Sequence, residues 1–189
     1  MDQQEYFTVQ HSLAVNVEPL SRDFILPDEE GFKAEIPTPF LVASEFSNLD
    51  SITDKAIGEL RNSDLSNVVQ LLESQNSKLN LLLTFMLSQQ NDPQYEHQTE
   101  SFGASHFTYV TQNAPEQEQL LRIKLFIEHP ASAVYCYGKV VKVDSDEKHT
   151  VTVAFEVMRE EDQDILIKAA LFQQQKLLRQ RSLARDEKN

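Results

Sequence analysis

Apolar residues recur at steps of four and three along Leu65, Val69, Leu72, Asn76, Leu79, Leu83 and Met86. This spacing is a heptad seam, and it predicts a helix of about three heptads running from Leu65 to about Gln90. One amide, Asn76, sits at its centre. A buried Asn at such a position lowers stability but sets register and strand number. Val68, Gln75 and Leu82, also seven apart, broaden the apolar face. A broad face suits either a helix docked on its own chain or a bundle of more than two helices. The central Asn favours self-association, because a helix packed on a monomeric core gains little from a buried amide.

Charge narrows the possible partners. The chain has 189 residues and a net charge of −13. Residues 1–60 hold 12 acidic side chains against Arg22, Lys33 and Lys55 alone. Affinity for a phosphate backbone comes from Lys and Arg, so nucleic acid and anionic membrane surfaces are poor partners. No apolar run approaches the roughly 18–20 residues that span a bilayer. Residues 1–10 are acidic and polar, unlike a signal peptide. Cys136 is the only cysteine, which excludes an intrachain disulfide. The expectation is a cytoplasmic protein with no membrane insertion.

The chain order predicts an α+β fold. Tyr6 to Leu20 alternates through Phe7, Val9, His11, Leu13, Val15 and Val17 and reads as an opening strand. Pro27, Gly31, Pro37 and Pro39 mark residues 21–40 as turns and irregular chain. A helix follows from Asn48 to about Arg61, and Ser63 or Asp64 is the candidate cap of the heptad helix. Asn91 to Glu100 reads as a polar linker. Strands are expected at Phe107–Thr111, Gln119–Glu128, Ala133–Asp144 and Val151–Met158, with a closing helix from Glu160 to about Arg181. The expected organisation is an opening strand and irregular segment at 1–47, a helical oligomerisation region at 48–90, a barrel with its closing helix at 98–182, and a tail at 183–189.

No arrangement for catalysis emerges. The histidines, His11, His97, His106, His129 and His149, show no metal-ligand spacing. Glu160, Glu161, Asp162 and Asp164 fall in the first turn of the last helix, where the helix dipole favours acids. No Gly-x-Ser-x-Gly elbow or phosphate-cradling glycine loop is present, and the chain has only four glycines. The expectation is a protein that is not an enzyme and has no metal or cofactor.

The second half resembles a PilZ domain. The resemblance rests on Leu120-Leu121-Arg122-Ile123-Lys124-Leu125, on Val134 through Val143 with its Gly138-Lys139-Val140-Val141, on Val151-Thr152-Val153-Ala154-Phe155, and on the helix opening Glu160-Glu161-Asp162. It implies a small antiparallel six-stranded β-barrel, with the heptad helix inserted into it and a C-terminal helix. It also implies a bacterial cyclic di-GMP pathway of the motility or biofilm kind. PilZ receptors of that nucleotide have an Arg-x-x-x-Arg segment before the barrel and an Asp/Asn-x-Ser-x-x-Gly loop. Arginine suits the task because its planar guanidinium stacks on guanine and forks onto phosphate. Here Ser101, Gly103 and His106 stand at the three signature positions of the loop. Arg22 and Arg61, the only arginines before residue 105, have no partner at the required spacing. Arg181 and Arg185 match Arg-x-x-x-Arg, but after the closing helix. The chain is similar to a PilZ subgroup in which inserted helices assemble four chains and nucleotide binding is degenerate. The implied reading is a homotetrameric signalling adaptor with an unknown protein partner and weak or no cyclic di-GMP binding. The alternative is a true receptor with an atypical site.

Overall fold

The structure, a computed structural model, describes residues 8–61, 64–128, 131–145 and 148–186. In chain order its elements are β1 (Thr8–Gln10), β2 (Ala14–Pro19), α1 (Glu29–Glu35), α2 (Thr38–Leu60), α3 (Ser66–Ser88), β3 (Glu96–Gly103), β4 (His106–Thr111), β5 (Leu120–Ile127), β6 (Ser132–Ser145), β7 (His149–Val157) and α4 (Glu160–Asp186). All strand pairs are antiparallel, and the order β3-β2-β5-β6-β7-β4 closes through a β3–β4 pairing. The result is a six-stranded barrel in an α+β fold, with α1 to α3 inserted after its first strand.

That first strand is broken, not continuous. β1 and β2 both pair with β3, in registers that differ by one residue. At the break Thr99 takes over the ladder. Its hydroxyl accepts from Leu13 N at 2.9 Å and donates to His11 O at 2.9 Å. The break is therefore a bulge whose backbone groups stay paired. Tyr6 and Phe7 lie outside the described residues.

The barrel interior follows from period-two alternation. Leu121, Ile123, Leu125 and Ile127 of β5 point inward with Val134, Cys136 and Val140 of β6 and Val151 and Val153 of β7. α4 closes the barrel by placing Ile165, Leu166, Ala169 and Ala170 in the same core. A second core lies outside the barrel wall. There Ala133, Tyr135 and Tyr137 of β6 pack against Phe32 of α1, Ile36 at its C-terminal end, Phe40 and Ala43 of α2, and Leu83 and Leu87 of α3.

Residues 21–40 are more ordered than their prolines suggest. Asp28 caps α1 by accepting from Gly31 N at 2.8 Å. Pro37 precedes α2, and Pro39 sits in its first turn, where a missing N–H is harmless. α2 therefore begins ten residues earlier than Asn48, and the added turn buries Phe40 and Ala43. Arg61 to Asp64 separates two helices. The cap of α3 is Leu65 with no side-chain bond, so Asp64 does not cap it, and Ser63 lies outside the described residues. Glu96 to Glu100 belong to β3 and not to a linker. His97 and Thr99 take inward positions, and a bulge after Thr99 shifts the phase so that Phe102 and not Ser101 faces the core, which hid the alternation from an apolar pattern. The turn after α3 is held to β2 by buried Asn16, which donates to Asn91 Oδ1 at 2.7 Å and accepts from Asp92 N at 2.8 Å.

Gly138 marks the tightest point of the wall. A Cβ there would meet Ile123 Cδ1 at 2.6 Å, Ala154 O at 2.7 Å and Val153 Cγ1 at 2.9 Å. One of these neighbours is backbone and cannot swing away. Gly138→Ala is expected to lower stability by about 1–3 kcal/mol through overpacking. Urea unfolding measures this, and an unchanged midpoint would refute the close approach.

Candidate functional site

The hairpin from β3 to β4 holds the three positions aligned with the ligand loop. Ser101 is buried, and its hydroxyl hydrogen-bonds that of Thr108 at 2.8 Å across the hairpin. Gly103 pairs with Thr8 of β1. His106 is half-buried, with Ser105 Oγ 3.0 Å from its Nδ1. α4 reaches the turn between them, where Gln163 Nε2 donates to Ala104 O at 3.3 Å. The three residues are thus close together, but each is used in holding the hairpin.

Four of the described guanidiniums are committed elsewhere. Arg22 pairs with Glu116 at 2.5 Å, Arg122 with Glu18 at 2.8 Å, and Arg61 with Glu73 across the α2–α3 turn. Arg122 also lies over the Tyr137 ring, 5.9 Å from its centroid, on the outer face of β5 and β6. Arg159 forks onto Asp162, with bonds of 2.9 Å and 2.7 Å. The backbones of Arg181 and Arg185 belong to α4, and their side chains lie outside the described residues.

Asp162 departs from the sequence reading. Its side chain is 0% exposed and does not act as a solvated acid at a helix end. Burial pushes its carboxyl up, and the Arg159 fork opposes that shift. The signal was available as an arginine three residues earlier. Burial also raises the Cys136 thiol, which stays protonated in the barrel core. Among the described residues no group of His, Cys, Asp and Glu is arranged to hold a metal ion.

The seven seam residues divide between two environments. Val69 and Leu83 are buried, and Asn76 faces α2, where it lines one cavity with Asp50 and Asp54. Leu65, Leu72 and Leu79 are exposed, and Met86 is half-buried. One side of α3 therefore completes the chain's own helical hairpin, and its amide lies beside the carboxylates of α2. The other side is open. Leu71, Leu82 and Phe85 are 60%, 66% and 66% exposed, and Val68 adjoins them.

No family model and no curated protein matches this chain. Among solved structures it is similar to a pathogenic protein of Xanthomonas campestris with a tetrameric PilZ domain self-assembled via a helical bundle. The identity is 12% and the TM-score 0.58, over 93% of this chain and 91% of that one. It is also similar to the Bacillus subtilis inhibitor of motility MotI/DgrA, at 10% identity and a TM-score of 0.49 over 93% of this chain. The chain spans 53% of that protein's length. The fold is PilZ-like, a six-stranded barrel with inserted helices and a closing C-terminal helix. No described helix is long and apolar enough to cross a membrane.

His11, His97 and His106 all have pKa values lowered, with burial the largest cause in each. A lowered folded value means that the unfolded chain takes up protons first on acidification. The stability linked to these rings is complete above about 6.5 and is lost as pH falls through their folded values. His106→Gln removes one share of that loss. Melting temperatures across this range should fall less steeply for the variant than for the parent. Parallel curves would show that His106 is not desolvated.

Proposed function

We propose that this chain is a non-enzymatic PilZ-like adaptor in a cyclic di-GMP-linked pathway of the motility or biofilm kind, assembled as a homotetramer through α3. The observation behind the reading is the outer face of α3. Leu71, Leu82 and Phe85, with Val68, Leu72 and Leu79, form an apolar stripe on a hairpin of helices outside the barrel. Isolated exposed leucines are ordinary, but a continuous stripe marks an interface. A second copy of the same stripe is self-complementary to it, as a symmetric interface requires. The helical bundle of the similar Xanthomonas protein supports four copies.

Nucleotide binding is weak or absent in this reading. The hairpin side chains bond to one another, and the described arginines that form ion pairs are held by acids. An assembled bundle would present several barrels to one protein partner and raise weak contacts into useful avidity.

Two measurements test this reading. Leu71→Glu with Leu82→Glu should reduce the light-scattering mass from that of an oligomer to that of one chain, while barrel circular dichroism is retained. A monomeric parent, or a variant that stays assembled, would refute the interface. Calorimetry with cyclic di-GMP should give no binding heat. Micromolar affinity would instead establish an atypical receptor, and Arg181 and Arg185 would be the next residues to replace.

A further inference from the structure

Between the helical hairpin, α4 and the barrel wall lies a cavity of about 350 Å³. Its two sides differ in chemistry. Ile127 of β5 with Ile165, Ala169 and Phe172 of α4 make one side apolar. The side toward the helical hairpin presents Asp50 and Asp54 from α2 and Asn80 from α3, and Ser132 of β6, the ladder partner of Ile127, adds a hydroxyl on the barrel wall.

Two of these polar groups lack partners. Ser132 is only 1% exposed, and its Oγ makes no hydrogen bond. Asn80 Oδ1 is buried and equally unpaired. Among the described residues three buried side-chain polar atoms are in this condition, and two of them line this one cavity. A buried orphan oxygen is destabilising and calls for an occupant that donates hydrogen bonds.

The charge points the same way. Asp50 and Asp54 are one turn apart on the same helix, where like charges repel. Burial and the Asp54 charge together push the Asp50 carboxyl up, opposed by the neighbouring Asn76 amide. Lys168 is the one cation among the described lining residues, and it is exposed on α4. A small anion would meet two carboxylates and an amide oxygen. A divalent cation needs oxygen ligands all round, and the apolar half supplies none.

We propose that this cavity is a binding site for a small organic amine. The three N–H groups of the ammonium would donate to Asp50, Asn80 Oδ1 and Ser132 Oγ, with the Asp54 carboxylate adding charge one turn away. The hydrocarbon part would lie against Ile127, Ile165 and Phe172. The site is independent of the hairpin at Ser101 and of the assembly proposed for α3.

Calorimetry on the full chain with butylamine, diaminobutane, ammonium chloride and succinate tests this. Both amines should bind, and ammonium alone should bind at least about tenfold more weakly for want of the apolar contact. Asp50→Asn should weaken butylamine about tenfold, while Asp23→Asn, an exposed acid elsewhere, should leave it unchanged. Should Asp50→Asn fail to fold, Phe172→Ala replaces it and should weaken butylamine but not ammonium. Absence of amine binding would mean that the cavity holds water only and would overturn the proposal. So would preferential binding of succinate. An equal loss in Asp23→Asn would also overturn it, because that result reports general attraction to a chain of charge −13.

Discussion

β6 is buried on both faces, and the rest of the molecule is arranged around that fact. From Ser132 to Val140 nearly every residue is shielded from water. Val134, Cys136 and Val140 fill the barrel, while Ala133, Tyr135 and Tyr137 form the floor under the helices. A strand of this kind must be covered on its second face by something other than the sheet. Here the covering is aromatic. Phe32 stacks on Tyr135 with ring centroids 6.0 Å apart, Phe40 meets the edge of Tyr135 at 5.9 Å, and Phe24 lies 5.4 Å from Tyr137. The Tyr137 hydroxyl donates to Glu35 at 2.5 Å, so its polar end is satisfied as well.

This anchorage determines how α3 is presented. α2 packs on β6, and α3 folds back beside it, with Arg61 joined to Glu73 near the turn and Asn76 beside Asp50 further along. Lys124 adds a donor to Gln90 O at 3.2 Å, close to the negative end of α3. The inner side of α3 is thereby occupied, and its leucine-rich outer side is exposed among the described residues. The same geometry leaves the polar pocket beneath the hairpin, because Asn80 and Ser132 face each other's elements without meeting a donor.

Much of the barrel was legible in the sequence. β5, β6 and β7 combine a clear period of two with apolar inward residues, and the closing helix follows them directly. β3 was hidden because polar His97 and Thr99 occupy inward positions and a bulge after Thr99 shifts the phase. α1 and the first turns of α2 were hidden because Pro37 and Pro39 read as breakers when they are helix starters. Asp162 looked like an ordinary acid of a first turn, and only the fold shows it enclosed with Arg159. The hairpin site was legible as a departure from a binding loop. The helical cavity was not, since its polar residues come from α2, α3 and β6, which are far apart in the chain.

The heptad helix divides the two kinds of information most clearly. The period of Leu65 to Met86 determined that a helix would form and that it would have more than one apolar face. It could not determine which face met the chain's own core. Val69, Leu83 and Asn76 turn inward, while Leu72 and Leu79 turn outward. The physical reason is that periodicity reports which residues share a side of an element. The neighbour of that side is chosen by packing between elements distant in sequence, here by the aromatic floor on β6.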